Sequence, residues 1–333
     1  MDAFPTGHES GLETAQSDFL RLLSGLSSER DRRALIDWIG QSGSALVAQV
    51  GAGGPTQSQA RYEARRRLAD IADRLKGRMP LTGVLASERI LAPAEAESAS
   101  GLRPEHTVHL DGFLFDEVDE ERLTSQGQIP PSFCAQCGSR DVQEINLITH
   151  SLSRPLLEFV FTSLLPELNP HHKILDVGSR LGSVLYGAAL FTPCQSIVGV
   201  EMNSDFCDIT QTTLNEFDLA SRVKVIHAEL STVPELVQQA DVIVLHNVFE
   251  WFMPLQAQTS IWQFLQRNIP KNGLIVASPR IEQSLAPLNT GIDISKWLRP
   301  LEPARPEAIA LTEAEDENDS IFLYQVLADP GPA

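Results

Sequence analysis

The stretch KILDVGSRLGSVLYGAAL (Lys173–Leu190) decides the fold of this chain. Ile174, Leu175 and Val177 flank Asp176 in a short apolar, partly β-branched run, which predicts a buried strand. Gly178 stops the run. Beyond Gly182, the apolar residues Val184, Leu185, Ala188 and Ala189 fall on one helical face. Strand, glycine turn and helix make the first half of a βαβ unit. Its turn presents backbone N–H groups and the positive end of a helix dipole to a ligand. A dinucleotide-binding turn needs Gly-x-Gly-x-x-Gly so that the backbone can lie against a pyrophosphate. Here Arg180 takes the middle position and Asp176 precedes the first glycine. A carboxylate there repels a pyrophosphate and suits a cationic ligand.

Working outward, Ser196–Val200 predicts a second strand ending in the acid Glu201, which lies 23 residues after Gly178. That is near the spacing at which a carboxylate takes ribose hydroxyls. Val223–His227 predicts a third strand, followed by Glu229. Asp241–Leu245 predicts a fourth, running into His246-Asn247-Val248-Phe249-Glu250-Trp251. Gly273–Ser278 predicts a fifth, after the turn Pro270-Lys271-Asn272. A helix over Ile281–Leu288 and strands over Lys296–Leu301 and Ser320–Leu327 complete the pattern, the two strands separated by an acidic loop containing Glu313 and Asp319.

Asp176-Val-Gly178-Ser-Arg-Leu-Gly182 resembles the first motif of the class I S-adenosylmethionine-dependent methyltransferases. The later strand ends resemble that family's further stations, over roughly residues 150–328. The resemblance implies an α/β fold: a doubly wound, seven-stranded Rossmann-like sheet with a terminal antiparallel hairpin, here preceded by an all-α N-terminal module. It implies S-adenosylmethionine as cofactor. Asp176 and the Gly178–Gly182 turn would hold its methionine part, with the turn's amides on the carboxylate. Glu201 would accept from the ribose hydroxyls and Glu229, where the family more often has Asp, from the adenine amino group, with the Leu230 amide donating to the ring. Methyl transfer is an in-line displacement at a sulfonium, so positioning and water exclusion dominate. A protonated acceptor also needs a base. His246 is the first candidate and Glu250 the second. Asn247, Phe249 and Trp251 would line the acceptor side, with Phe252 packing into the core. The motif is not Asp/Asn-Pro-Pro-Tyr/Phe, which leaves oxygen, sulfur or a protein side chain as acceptor. HNVFEWF also resembles the histone-lysine methyltransferases that lack a SET domain. The different-class alternative is a non-catalytic scaffold of the same fold, motivated by Arg180 and Glu229.

Composition bounds these expectations. The chain has 333 residues and a net charge of −18. Residues 1–100 hold 12 basic against 13 acidic side chains, and the remainder 14 against 31. So acidic a catalytic half disfavours nucleic acid as partner and leaves a small molecule or a protein as substrate. The polar start MDAFPTGHES carries no secretory pattern, no apolar run reaches membrane-spanning length, and four cysteines make no disulfide framework; a cytoplasmic or nuclear setting is expected.

Three regions are expected: a helical module over 1–100, a linker and irregular segment over 101–149, and the catalytic domain over 150–333. A helix near Gln57–Arg78 carries Arg61, Arg65, Arg66, Arg67, Arg74, Lys76 and Arg78. Its basic residues read as a solvated face paired with Glu63, Asp70 and Asp73, or as a docking surface for an acidic partner: a protein, nucleic acid or the acidic half of this chain. His106, His109, Cys134 and Cys137 could form a zinc set, but no metal is expected. The acids Asp116–Glu121 read as loop. His150 precedes a helix over Leu156–Leu165 that Ser151 or Ser153 can cap.

Overall fold

The structure, a computed structural model, describes residues 57–88, 107–128, 146–148, 151–250, 252–305 and 321–327, with scattered positions between Phe19 and Ile36. By its internal contacts, Arg61–Ala333 forms one compact unit and Met1–Ala60 another. No described helix is long and apolar enough to cross a membrane.

The quoted stretch folds as read. Strand β3 (Lys173–Val177) leads through the turn into a helix over Ser183–Phe191. The strands that follow are β4 (Ser196–Glu201), β5 (Val223–His227), β6 (Val242–His246), β7 (Leu274–Ser278), β8 (Leu298–Leu301) and β9 (Phe322–Val326). Ahead of them, β1 (Thr107–His109) pairs in parallel with β2 (Asn146–Ile148) in a separate two-stranded sheet. The large sheet has the order β5-β4-β3-β6-β7-β9-β8. Its first five strands are parallel, whereas β9 runs antiparallel to both β7 and β8. This is the doubly wound sheet with its terminal hairpin.

Period-two alternation along the central strands explains their continuous apolar runs, because both faces are covered. Ile174, Val242, Val244 and Val276 enter one buried cluster; Leu175, Val177, Ile243, Leu245 and Ile275 enter the other. The chain builds outward from β3 to β5, then returns to place β6 on the other side of β3. Strand order therefore reverses between β3 and β6, and the crevice at their carboxyl ends is where such sheets bind ligands.

Helix α1 (Gln57–Lys76) is the basic segment. Its Leu68, Ile71, Ala72 and Leu75 are buried in the same cluster as the helix after β3. Arg65 forks onto the buried Glu158, Arg74 and Arg78 reach Glu216, and Lys76 meets Asp119. Arg66 pairs locally with Glu63 and Asp70, and Lys76 with Asp73. The expected local pairs form, and the acidic half of the same chain supplies much of the remaining counter-charge.

Three local expectations are corrected. The acids after Phe115 form helix α2 (Glu117–Ser125) instead of a loop. Asp116 and Asp119 make a reciprocal capping box, and Lys76 and Arg122 neutralise Asp119. The helix before β3 begins earlier, as α3 (Arg154–Phe159), and continues as a π-helical turn over Val160–Leu164. Ser153 caps it, whereas the Ser151 hydroxyl donates to Asp111. The π turn is stabilised from outside: Ala304 and Arg305 donate their backbone N–H groups to the Leu164 and Ser163 carbonyls. Lys296 lies in a short helix, Ile294–Trp297, so β8 starts two residues later than read. Among the suggested zinc ligands, His106, Cys134 and Cys137 lie outside the described residues, as does His150. No metal-competent cluster occurs among the described residues, and Cys194 and Cys207 are buried free thiols.

Candidate functional site

The site grows from the turn after β3. Gly178, Arg180 and Gly182 all take positive φ (70°, 40° and 80°). A Cβ on Gly178 would lie 2.5 Å from Val248 Cγ2, so glycine lets the turn touch the loop after β6. Four of the turn's amides are engaged within the protein. Those of Gly178 and Ser179 donate to the Val200 carbonyl, Arg180 N–H to Glu201 Oε2, and Gly182 N–H to the Ser179 carbonyl.

At the end of β4, Glu201 is buried, with Oε1 accepting from Asn203 N–H and Oε2 from Arg180 N–H. Burial raises its pKa, against the lowering effect of those two hydrogen bonds. Asp176 is also buried. Desolvation first, and the charge of Glu201 second, push its carboxyl up to about 8, so it is largely protonated at neutral pH. The end of β5 supplies Glu229, which is exposed and accepts from the Ser231 hydroxyl, and the buried Leu230.

His246 closes β6. Its Nδ1 is covered and has no hydrogen-bond partner among the described residues, and burial together with the nearby Arg180 charge lowers the ring pKa to about 4. The imidazole is thus neutral at physiological pH. Asn247 follows at φ 46°, its N–H on the Ser278 carbonyl. Phe249 is buried edge-on against Trp262, 5.5 Å between ring centroids. Phe252, read as the core residue, instead lines the cavity while remaining partly exposed. Glu250 accepts from the Ser284 hydroxyl at 2.5 Å. Trp251 lies outside the described residues.

These strand ends open onto a cavity of about 800 Å³, within the usual range for small-molecule sites. Gly178, Glu201, Glu229, Leu230, His246, Asn247 and Phe249 line it; Asp176, Gly182 and Glu250 are not among the lining residues. Sequence reasoning missed part of the wall: Ser87, Glu88, Met202, Asn203 and Met253. Glu88 gave no signal, because its place depends on a contact with Arg180, 92 residues on. Arg180 itself was visible only as a missing glycine. A cavity with carboxylates at two strand ends, a neutral imidazole in its wall and apolar side chains fits a cationic nucleoside.

A family model described as "Histone methylation protein DOT1" matches residues 151–261, about one third of the chain. No curated protein matches. Similar solved structures include an RNA methyltransferase from Salinibacter ruber with S-adenosyl-L-homocysteine: 12% identity, 54% of this chain and 95% of that one, TM-score 0.36. Another is the O-methyltransferase TomG from Streptomyces achromogenes with S-adenosylmethionine: 12% identity, 55% and 84% coverage, TM-score 0.38. A third is an O-methyltransferase from Bacillus cereus with S-adenosyl-L-homocysteine: 12% identity, 54% and 84% coverage, TM-score 0.35.

Proposed function

We propose that this chain is a class I S-adenosylmethionine-dependent methyltransferase that acts on a protein side chain, with a lysine amine as acceptor. The observation that carries the acceptor is the match of residues 151–261 to the family of histone methylation proteins. The strongly acidic catalytic half agrees with it, since it attracts a basic peptide. A cavity of about 800 Å³ also leaves space for an acceptor side chain beside a nucleoside.

The cofactor supplies an electrophilic methyl group on a sulfonium. In this reading the chain's residues divide the remaining work. Glu201 holds the ribose hydroxyls and Glu229 the adenine amino group, with the Leu230 amide donating to the ring. Asp176, buried two residues before Gly178, ionises to meet the charge of the end that bears the ammonium. Phe249 walls the acceptor path and excludes water, and Asn247 orients the incoming group. The neutral His246 ring accepts a hydrogen bond from the amine and so aims its lone pair. With a pKa near 4, the ring cannot retain a proton taken from an ammonium whose ordinary pKa is about 10.4. Its contribution is therefore orientation of an amine that has already lost its proton to solvent. Glu250, tied to Ser284, supports the Phe249 backbone N–H from behind.

A location in the cytoplasm or nucleus belongs to the same proposal, supported by the two buried free thiols.

The test pairs binding with transfer. Calorimetric titration with S-adenosylhomocysteine should give one site per chain. Labelled methyl from S-adenosylmethionine should appear on histones or on basic lysine peptides, and His246→Ala should lower turnover about a hundredfold with cofactor affinity retained. Binding without transfer to any lysine substrate would refute the acceptor, and an unchanged rate in the His246 variant would refute its role.

A further inference from the structure

Arg180 stands where the motif calls for glycine, and its surroundings explain how it can. The residue is 7% exposed and lies at φ 40°. Its backbone is fixed at both ends: the N–H on Glu201 and the carbonyl on the Thr210 hydroxyl. Its guanidinium forks onto Glu88, with Nε at 2.7 Å from Oε1 and Nη2 at 3.0 Å from Oε2. Nη2 also donates to the Gly83 carbonyl and Nη1 to Asp111 Oδ2. The guanidinium carbon lies 4.9 Å from the centre of the Phe206 ring.

The segment thus gripped, Gly83–Glu88, reaches the cavity with its last two residues. Ser87 and Glu88 line it, and Ser87 also shares hydrogen bonds with Asn203, whose own N–H lies on Glu201. The circuit from Arg180 through Glu88, Ser87, Asn203 and Glu201 returns to the Arg180 backbone. A buried cation in the wall of a cavity meant for a cationic ligand would repel that ligand. Here two carboxylates offset it.

We propose that Gly83–Glu88 is the roof of the cofactor site, clamped by Arg180, and that Glu88 is the counter-charge that allows an arginine in this turn to coexist with a bound sulfonium. The inference rests on the cofactor reading above. Arg180 acts as a positioning residue for the roof, and Glu88 sets the charge seen by the ligand. Replacing either loosens the roof, but the two replacements change the local charge in opposite directions. Glu88→Gln leaves the cavity wall one unit more positive. Arg180→Gly leaves it one unit more negative and also relieves the positive φ.

The experiment titrates the full-length chain and both variants with S-adenosylmethionine and with S-adenosylhomocysteine, which differ in the sulfonium charge. For Glu88→Gln the ratio of the two affinities should shift about tenfold against S-adenosylmethionine, as one unit charge across such a cavity implies at an effective dielectric constant of about 20. For Arg180→Gly it should shift towards S-adenosylmethionine. In the ligand-free variants, amide exchange over residues 83–88 should quicken at least about tenfold while that of the central strands is unchanged. Wild-type binding with an unchanged ligand ratio in Glu88→Gln, or with undisturbed exchange in the roof, overturns this proposal alone. Failure of the wild-type chain to bind either ligand overturns the cofactor reading and this proposal together. Glu88→Gln is nearly isosteric, so it decides the matter if the Arg180 variant does not fold.

Discussion

Replacing Asp176 by asparagine should uncouple cofactor binding from pH. In the free chain, burial and the charge of Glu201 hold the Asp176 carboxyl near 8, so at pH 7 about nine molecules in ten carry the proton. A cationic ligand favours the ionised form, and binding at pH 7 should therefore release about 0.9 proton. Below pH 8 each unit of acidification should weaken binding about tenfold, or about 1.4 kcal/mol, with a plateau above. Stability of the free protein carries the opposite sign. The folded pKa is raised above the reference value of 3.8, so the stabilising effect of the bound proton is complete below that value and is lost as pH rises through about 8. The neutral amide of Asp176→Asn imitates the protonated acid at every pH. The variant should bind with no coupled proton release from this position and with a flatter pH profile. It should also match the wild type in stability under acid conditions and exceed it above pH 8. The assay is titration calorimetry of both chains in buffers of different ionisation enthalpy, with thermal unfolding across the same pH range. Ionisation of the ligand's own groups is common to both chains, so the difference isolates Asp176. Equal proton release, or parallel pH slopes, would refute the reasoning.

Gly178→Ala should lower stability by about 2–3 kcal/mol, read by denaturant unfolding, because its Cβ would overlap Val248 and its φ of 70° disfavours a side chain. Val248→Ala in the same chain should recover part of the overlap cost and none of the backbone cost. Arg65→Ala leaves the buried Glu158 carboxylate without its fork and should cost about 1–2 kcal/mol, a loss that persists at high salt; Arg74→Ala, on the exposed Glu216 pair, should have an effect that salt abolishes. For His246 the folded pKa is depressed, so its stabilising contribution is present above 6.5 and lost as pH falls towards about 4. Nuclear magnetic resonance titration should show the ring still neutral at pH 6, and a titration midpoint near 6.5 would contradict the burial argument.

The sheet was legible because its information is local. Period-two apolar runs, each ending in glycine or a polar residue, placed the five parallel strands to within a residue, and both faces of those strands are buried as continuous apolar runs require. The helix over Glu117–Ser125 was missed for a physical reason of the same kind. Its acids look unhelical until Asp116 and Asp119 cap each other and Lys76, distant in sequence, removes a charge. The site was legible at the strand ends, where chain order and position coincide, and illegible in its roof.

Arg180 shows the difference most sharply. Read along the chain, it is a glycine lost from a ligand-binding turn and hence an argument for a decayed pocket. In the fold, its side chain reaches Glu88 and Gly83 on one side and Asp111 on another, while its N–H holds Glu201. A left-handed backbone at a non-glycine residue costs on the order of 1–3 kcal/mol and persists when its surroundings over-determine it. Four attachments do so here, and two of the partners, Glu88 and Glu201, line the same cavity. Decay predicts the reverse, since an arginine that no longer served a pocket would have no reason to draw two carboxylates and a carbonyl out of water around itself. The departure from the motif is therefore better understood as a second way of building the site's wall, with charge and side-chain reach replacing what close backbone approach provides elsewhere.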